Sequence, residues 1–456
     1  MFGTLLAKSW DRTRDCPFHT GASCHCTDTV LDCLDLKLTE IPTFLPRDWH
    51  YETLHLTGNY ITEIRPSAFA NINVSRILLE KNYISRIDEK AFKGVYDEVE
   101  YLDLSSNDLE SLPMELRRLA SLRTLDVMGN PIQSENFTEE VLRQLGDYLE
   151  EFRFGHSNLT EWPSSLHHLP GLKHLSFSGG TMERLPPDAF RGFEWSLQHL
   201  WITDTKLIAV PIAMQDLHST VELHFDNNLR VKDAGILIPA FAGLVNSLDI
   251  LTLENNDLTE FPPVLLTLKQ LSNLSLARND LQFVSDSAVG VLGTNLTTIN
   301  LQSCNLDRIP GALSKLEEVV NLDFSYNNIT TVEKNDLQGL HHLQTLDLSE
   351  NRLAYISNSA FKTLSSLRTF LLRNVDLYLV PEAIQNIPSL QLLDLNSLPD
   401  PNIECNCMLK WLYCHLSAHT SLMVKGECET IADTIQNYAT TQIPSYCPHE
   451  CHCVCR

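Results

Sequence analysis

Four short runs place ionisable and aromatic side chains at near-constant spacing: Glu-Phe-Arg-Phe (151–154), His-Leu-Ser-Phe (174–177), His-Leu-Trp-Ile (199–202) and Glu-Leu-His-Phe (222–225). If each is a strand, alternation sends every second residue to the same side. One row then holds Glu151, His174, His199 and Glu222; a second holds Arg153, Ser176, Trp201 and His224, with Asp204, Asp226 and Glu254 just beyond. Histidines flanked by carboxylates can change charge near neutral pH, which suits a pH-sensitive contact. An outward Trp201 is an anchor candidate for a protein partner. Set against this, exposed His and Glu are commonly just solvated, and single exposed aromatics are ordinary. Neighbours on parallel strands do not by themselves make tetrahedral geometry, so no metal is assigned. The chain has no G-x-S-x-G, no H-E-x-x-H, no P-loop and no G-x-G-x-x-G after a strand. It therefore reads as a non-enzyme without a cofactor.

The other reactive side chains are the 13 cysteines. They stand at 16, 24, 26 and 33, at 304 alone, and at 405, 407, 414, 428, 447, 451, 453 and 455. Clusters at both ends, rather than a scatter, suggest two disulfide-tied caps and an oxidising compartment. Asn-x-Ser/Thr acceptors at Asn73, Asn136, Asn158, Asn273, Asn295 and Asn328 agree with a secretory route.

What must position these residues is a repeat. The pattern L-x-x-L-x-L-x-x-N-x-L recurs, as in LDILTLENNDL (248–258) and LQTLDLSENRL (343–353). The apolar residues that open each strand are Leu54, Ile77, Leu102, Leu125, Phe152, Leu175, Leu200, Leu223, Leu251, Leu274, Ile299, Leu322, Leu346, Phe370 and Leu393, spaced 23 to 28 apart. That period is the leucine-rich repeat. The expected fold is an α/β solenoid, a horseshoe of about 15 coils with a parallel sheet on its concave face. Asn59, Asn82, Asn107 and Asn130, then Asn228, Asn256, Asn279, Cys304, Asn327 and Asn351, form a ladder in the turns. The ladder lapses at Ser157, Gly180 and Thr205, beside the Trp201 row, and local rules often fail at functional sites. Cys304 reads as a buried thiol in a ladder position. Coils with a Pro stop, as in SLP (111–113) and RIP (308–310), are expected to be extended on the convex side. Those with a Phe, as in PPDAF (186–190), are expected to carry a short helical turn.

The segment Cys16-Pro17, Cys24-His-Cys26, Val30-Leu-Asp-Cys33 and Leu38-Thr-Glu-Ile-Pro42 resembles the N-terminal cap of Slit-type extracellular leucine-rich repeat proteins. The run Cys405-Asn-Cys407-Met-Leu-Lys-Trp411-Leu412, with Cys428 and Cys447, resembles the C-terminal cap of the same Slit and Toll-type class. The resemblance implies bridges Cys16–Cys26, Cys24–Cys33, Cys405–Cys428 and Cys407–Cys447, with Trp411 and Leu412 plugging the core. Cys414, Cys451, Cys453 and Cys455 depart from the cap; they pair among themselves, or the tail opens a further module. The expected organisation is an unstructured segment over 1–15, a cap over 16–50, the array over 51–400, a second cap over 401–447 and a Cys-rich tail over 448–456. The run Met1-Phe-Gly-Thr-Leu-Leu-Ala7 is too short for a signal h-region, so either the signal lies outside this sequence or the chain is part of something longer.

Charge completes the reading. With 34 basic and 58 acidic residues the chain carries −24, which argues against nucleic acid and anionic membrane surfaces. No run is long and apolar enough to span a bilayer. Outward acids such as Asp103, Asp126, Glu222, Asp226, Glu254, Asp323 and Asp347 predict a protein partner that is basic at the contact. The expected function is extracellular recognition, as in adhesion, guidance or an immune-type receptor ectodomain. The alternative is a matrix protein or a non-catalytic subunit of a secreted complex.

Overall fold

The computed structural model describes residues 16–18, 23–46, 50–281, 295–397 and 401–447. Cys451, Cys453 and Cys455 lie outside the described residues, as does the segment 1–15. The chain divides into two compact units, Met1–Leu207 with Pro211–Thr220, and Ile208–Val210 with Val221–Arg456.

Each coil contributes one short strand, and its central apolar residue decides the register. In the first unit Leu54 lies against Ile77, then Leu102, Leu125, Phe152, Leu175 and Leu200, all in parallel strands. In the second unit the series runs Leu223, Leu251, Leu274, Ile299, Leu322, Leu346, Phe370 and Leu393. All of these side chains are buried. A slip by one residue would turn every one of them to solvent, so the pleat holds the pairing.

The turns are stitched by buried asparagines. Asn82 donates to the carbonyls of Leu56 and Leu79, both at 3.0 Å, and its Oδ1 accepts from Ile61 N–H at 3.1 Å. One amide thus satisfies backbone groups of two successive coils, which otherwise would be buried unpaired. Asn107, Asn279, Asn327 and Asn351 repeat the two donor bonds. Cys304 puts a thiol in place of the amide, reaching Leu276 O at 3.2 Å; burial pushes its pKa up to about 12, against the bonds from the Asn279 and Arg278 backbone N–H groups.

Where the ladder lapses, aromatic rings occupy the interior. Trp162 meets Phe154 at 5.5 Å, Phe177 at 5.4 Å and Phe190 at 5.9 Å, and donates its indole N–H to Ala189 O at 2.9 Å. Any Cβ at Gly180 would come within 3.2 Å of Phe177 Cζ and Met182 Cε, and its φ of +83° favours glycine. At Gly180 the lapse therefore has a packing cause in addition to its place beside the Trp201 row, whereas Thr205 accepts from Leu207 N–H at 3.2 Å.

The other side of the coils reverses one expectation. The Pro-marked coils are not extended: Pro113, Pro163, Pro211, Pro262, Pro310 and Pro381 each cap a five-residue 3-10 helix. Their φ near −65° leads into the first turn without strain. Of the Phe-marked coils, that of Phe241 carries the expected helical turn as the 3-10 helix Ile238–Leu244, while those of Phe69, Phe92, Phe190 and Phe361 carry hydrogen-bonded turns, with Phe69 stacked on Phe92 at 5.2 Å.

Both caps extend a sheet. Val30–Asp32 pairs in parallel with His50–His55, and Met423–Lys425 pairs with Leu392–Asp394. Cys16 is bonded to Cys26, Cys24 to Cys33, Cys405 to Cys428 and Cys407 to Cys447. Leu412 is fully buried in the helix Lys410–Ala418, but Trp411 is only half-buried and does not plug the core. One turn of helix cannot point two consecutive residues to the same face.

Candidate partner-binding faces

In the first unit the strands Glu151–Phe154, His174–Ser178 and His199–Thr203 align Glu151 with His174 and His199, and Arg153 with Ser176 and Trp201. The imidazoles of His174 and His199 stack at 4.3 Å with 2° between planes. Trp201 lies 5.8 Å from His199 and 6.4 Å from His174, nearly parallel to both. Three flat rings thus share one orientation on a half-exposed floor. Beside it, Arg153 reaches Glu151 at 2.6 Å and Asp126 at 3.7 Å, while Glu151 also accepts from Thr124 Oγ1 at 3.2 Å. Burial first, then the charge of Asp103, pushes the Asp126 carboxyl up to about 6, against the Met128 N–H bond and the Arg153 charge. Asp204 stands apart, exposed in the following turn at φ +56°.

In the second unit Glu222, His224, Asp226 and Glu254 are wired to one another. His224 Nε2 meets Glu222 Oε1 at 2.6 Å, and its Nδ1 meets Thr252 Oγ1 at 2.9 Å. The Thr252 hydroxyl donates to Asp226 Oδ2 at 2.6 Å, and Asp226 Oδ1 accepts from Glu254 N–H at 2.7 Å. Ser275 Oγ donates to Glu254 Oε1 at 2.6 Å. Burial raises the Asp226 pKa, opposed by the Thr252 and Glu254 hydrogen bonds.

Several outward acids also serve the fold. Asp103, Asp126, Asp323 and Asp347 accept the backbone N–H two residues on, at 2.8–2.9 Å, closing the turn after their strand. Their negative charge is a local device before it is a surface for a partner.

Some candidates escaped sequence reasoning. Trp195 is 75% exposed and lies 4.4 Å from the His218 ring. Tyr355, Tyr378, Met408 and Trp411 line a groove of about 380 Å³. Tyr355 and Tyr378 are 23 residues apart at the same coil position, a signal that the repeat period carries. Among the described residues no group of three or more His, Cys, Asp or Glu could hold a metal ion, and no helix is long and apolar enough to cross a membrane.

A family model described as Leucine rich repeat matches residues 72–132, 294–353 and 342–397. The chain is a leucine-rich repeat protein with cysteine-rich caps. Such a repeat chain is 27% identical to mouse (Mus musculus) podocan over 405 residues, which is 82% of this chain and 63% of podocan. It is 38% identical to the zebrafish (Danio rerio) leucine-rich repeat-containing protein 3 over 129 residues, 27% of this chain and 47% of that protein. The repeat chain thus spans about half to two thirds of these curated relatives. In fold it is similar to a leucine-rich repeat protein of Leptospira interrogans, with a TM-score of 0.59 and 21% identity over 87% of this chain and 95% of that one. The disulfides in both caps and the podocan likeness point to an extracellular or secreted setting.

Proposed function

We propose that this chain is an extracellular protein-recognition module that docks its partner on the strand face of the first unit. The observation that carries the reading is the stack of His174, His199 and Trp201. A flat aromatic floor offers contact area at little cost in conformational entropy, and Trp is enriched among residues that dominate binding energy. Arg153 and Glu151 at its rim supply polar complementarity. The partner is a protein, basic where it meets Asp103, Glu151 and the net charge of −24; nucleic acid is disfavoured by the same charge. Recognition here rests on shape and charge, not on chemistry performed by the chain.

The test is a binding array of secreted and cell-surface proteins probed with the full chain. Trp201→Ala is expected to weaken the partners found by about tenfold or more, with little change in stability. Unchanged binding by that variant removes this face from the reading.

A further inference from the structure

We propose that Asn273 carries an N-linked glycan that covers the strand face of the second unit, leaving partner docking to the strand face of the first. The inference rests on the extracellular reading above, because only that route supplies the sugar. The six acceptor asparagines are not equivalent. Asn158 and Asn328 are exposed in turns, one residue after a ladder position. Asn136 Nδ2 is tied to Glu110 O at 3.0 Å and Asn295 Nδ2 to Lys269 O at 3.2 Å, each bond holding the amide against a neighbouring coil. Asn73 begins its strand, level with His50, whose Nδ1 meets its Oδ1 at 2.7 Å. It therefore lies three residues before the row of Arg76 and Tyr101.

Asn273 differs from all of these by its place on the sheet. It sits in the outward row Ile250, Asn273, Thr298, Asn321, one residue before the buried Leu274. These four residues are half-exposed and uncharged, and Glu222, paired with His224, continues the row beyond Ile250. Strands lie about 4.8 Å apart, so a branched oligosaccharide rooted in the row overlies several of them. The face it covers is the one whose acids are already wired together, whereas the aromatic floor of the first unit has no acceptor in its rows.

The chemistry is a transfer from a polyprenyl-pyrophosphate-linked oligosaccharide before the chain folds. Asn273 Nδ2 attacks the anomeric carbon of the first sugar, forming an N–C bond as the C–O bond to pyrophosphate breaks. The amide loses one proton, and the polyprenyl pyrophosphate leaves with the bonding electrons. Ser275, the third residue of the acceptor, is bonded to Glu254 only after folding.

The full chain, directed into a eukaryotic secretory pathway, is digested with peptide N-glycosidase in heavy-oxygen water, and each acceptor peptide is weighed. Conversion of Asn273 to labelled Asp is expected. Absence of conversion at Asn273, whether or not the other acceptors convert, overturns this proposal and leaves the extracellular reading standing. Coverage is read by carbodiimide labelling of Glu254 and Asp323, with Asp204 as the control. The glycoprotein should label several-fold more slowly than Asn273→Gln at the first two positions and equally at the third. Should that variant fail to be secreted, the glycoprotein trimmed to its first sugar serves as the comparison. Equal labelling at Glu254 and Asp323 overturns the shielding.

Discussion

The coils around 151–205 and those around 222–281 are built on one repeat but differ inside and out. In the first set, Trp162 and three phenylalanines pack together in the interior where the asparagine ladder lapses, and the outward row is a stack of rings. In the second, Asn256 and Asn279 stitch the turns, and the outward row is a hydrogen-bonded relay from Glu222 to Ser275. The lesson is that a repeat needs its turns satisfied, by apolar packing or by amides. A polar surface row that bonds to itself has less left to offer a partner than a stack of ring faces.

The largest effects test the interior. Trp162→Ala is expected to cost about 4 kcal/mol, since it opens a large cavity and orphans Ala189 O. In the second unit, Asn256→Ala is expected to cost about 2 kcal/mol, from Phe225 O and Asn228 N–H left unpaired. Urea midpoints of the two variants decide the matter; a larger loss from Asn256→Ala would reverse the ranking of rings over amides.

Acid should act on the two units with opposite sign at two buried groups. In the second unit, burial and then the charge of His419 push His415 down from 6.5 to about 4, and its Nε2 has no hydrogen-bond partner. The unfolded chain takes up the proton more readily. Its contribution, about 3 kcal/mol, is therefore present above pH 6.5 and lost as pH falls toward 4. In the first unit Asp126 is raised from 3.8 to about 6, so the folded chain holds the proton more readily. Its contribution, also about 3 kcal/mol, is full below pH 3.8 and lost as pH rises through 6. Asp126→Asn should thus stabilise the strand Thr124–Asp126 at neutral pH, and His415→Gln should flatten the acid loss in the cap. Hydrogen exchange of amides in each unit against pH reads both; shifts of the same sign would sink the contrast.

Much of the architecture was legible because leucine spacing is redundant. Fifteen strand positions repeat one test, and each is buried where the period puts it. The caps were legible only through resemblance, and there Trp411 misled, since the motif names a residue while helix geometry chooses its face. The proline coils misled for a related reason. A Pro was read as a stop, whereas at Pro113 or Pro310 it is the residue that begins a 3-10 helix. The rows of the candidate site were legible from strand alternation, but their bonding was not. Nothing in the spacing of His224, Asp226 and Glu254 says that Thr252 and Ser275, on neighbouring coils, would connect them.

Binding comes next in size. Trp201→Ala should lose about tenfold in partner affinity, near 1.4 kcal/mol, while His224→Ala should leave affinity unchanged and lower stability by about 1 kcal/mol. If His224→Ala is the variant that weakens binding, the docking face belongs to the second unit.

The smallest effect probes the relay itself. Thr252→Val keeps the shape of the side chain and removes one hydroxyl that serves two partners, Asp226 Oδ2 and His224 Nδ1. Neither partner is fully exposed, so losing the hydroxyl leaves a carboxylate and a ring nitrogen each short of one bond. The expected cost is about 1 kcal/mol at neutral pH. It should shrink in the His224→Ala background, because the ring nitrogen is then no longer there to be orphaned. A double-mutant cycle on the urea midpoint measures that coupling. Strict additivity would mean that the row is a set of separate contacts, and the second unit's outward face would then be as free to meet a partner as the first.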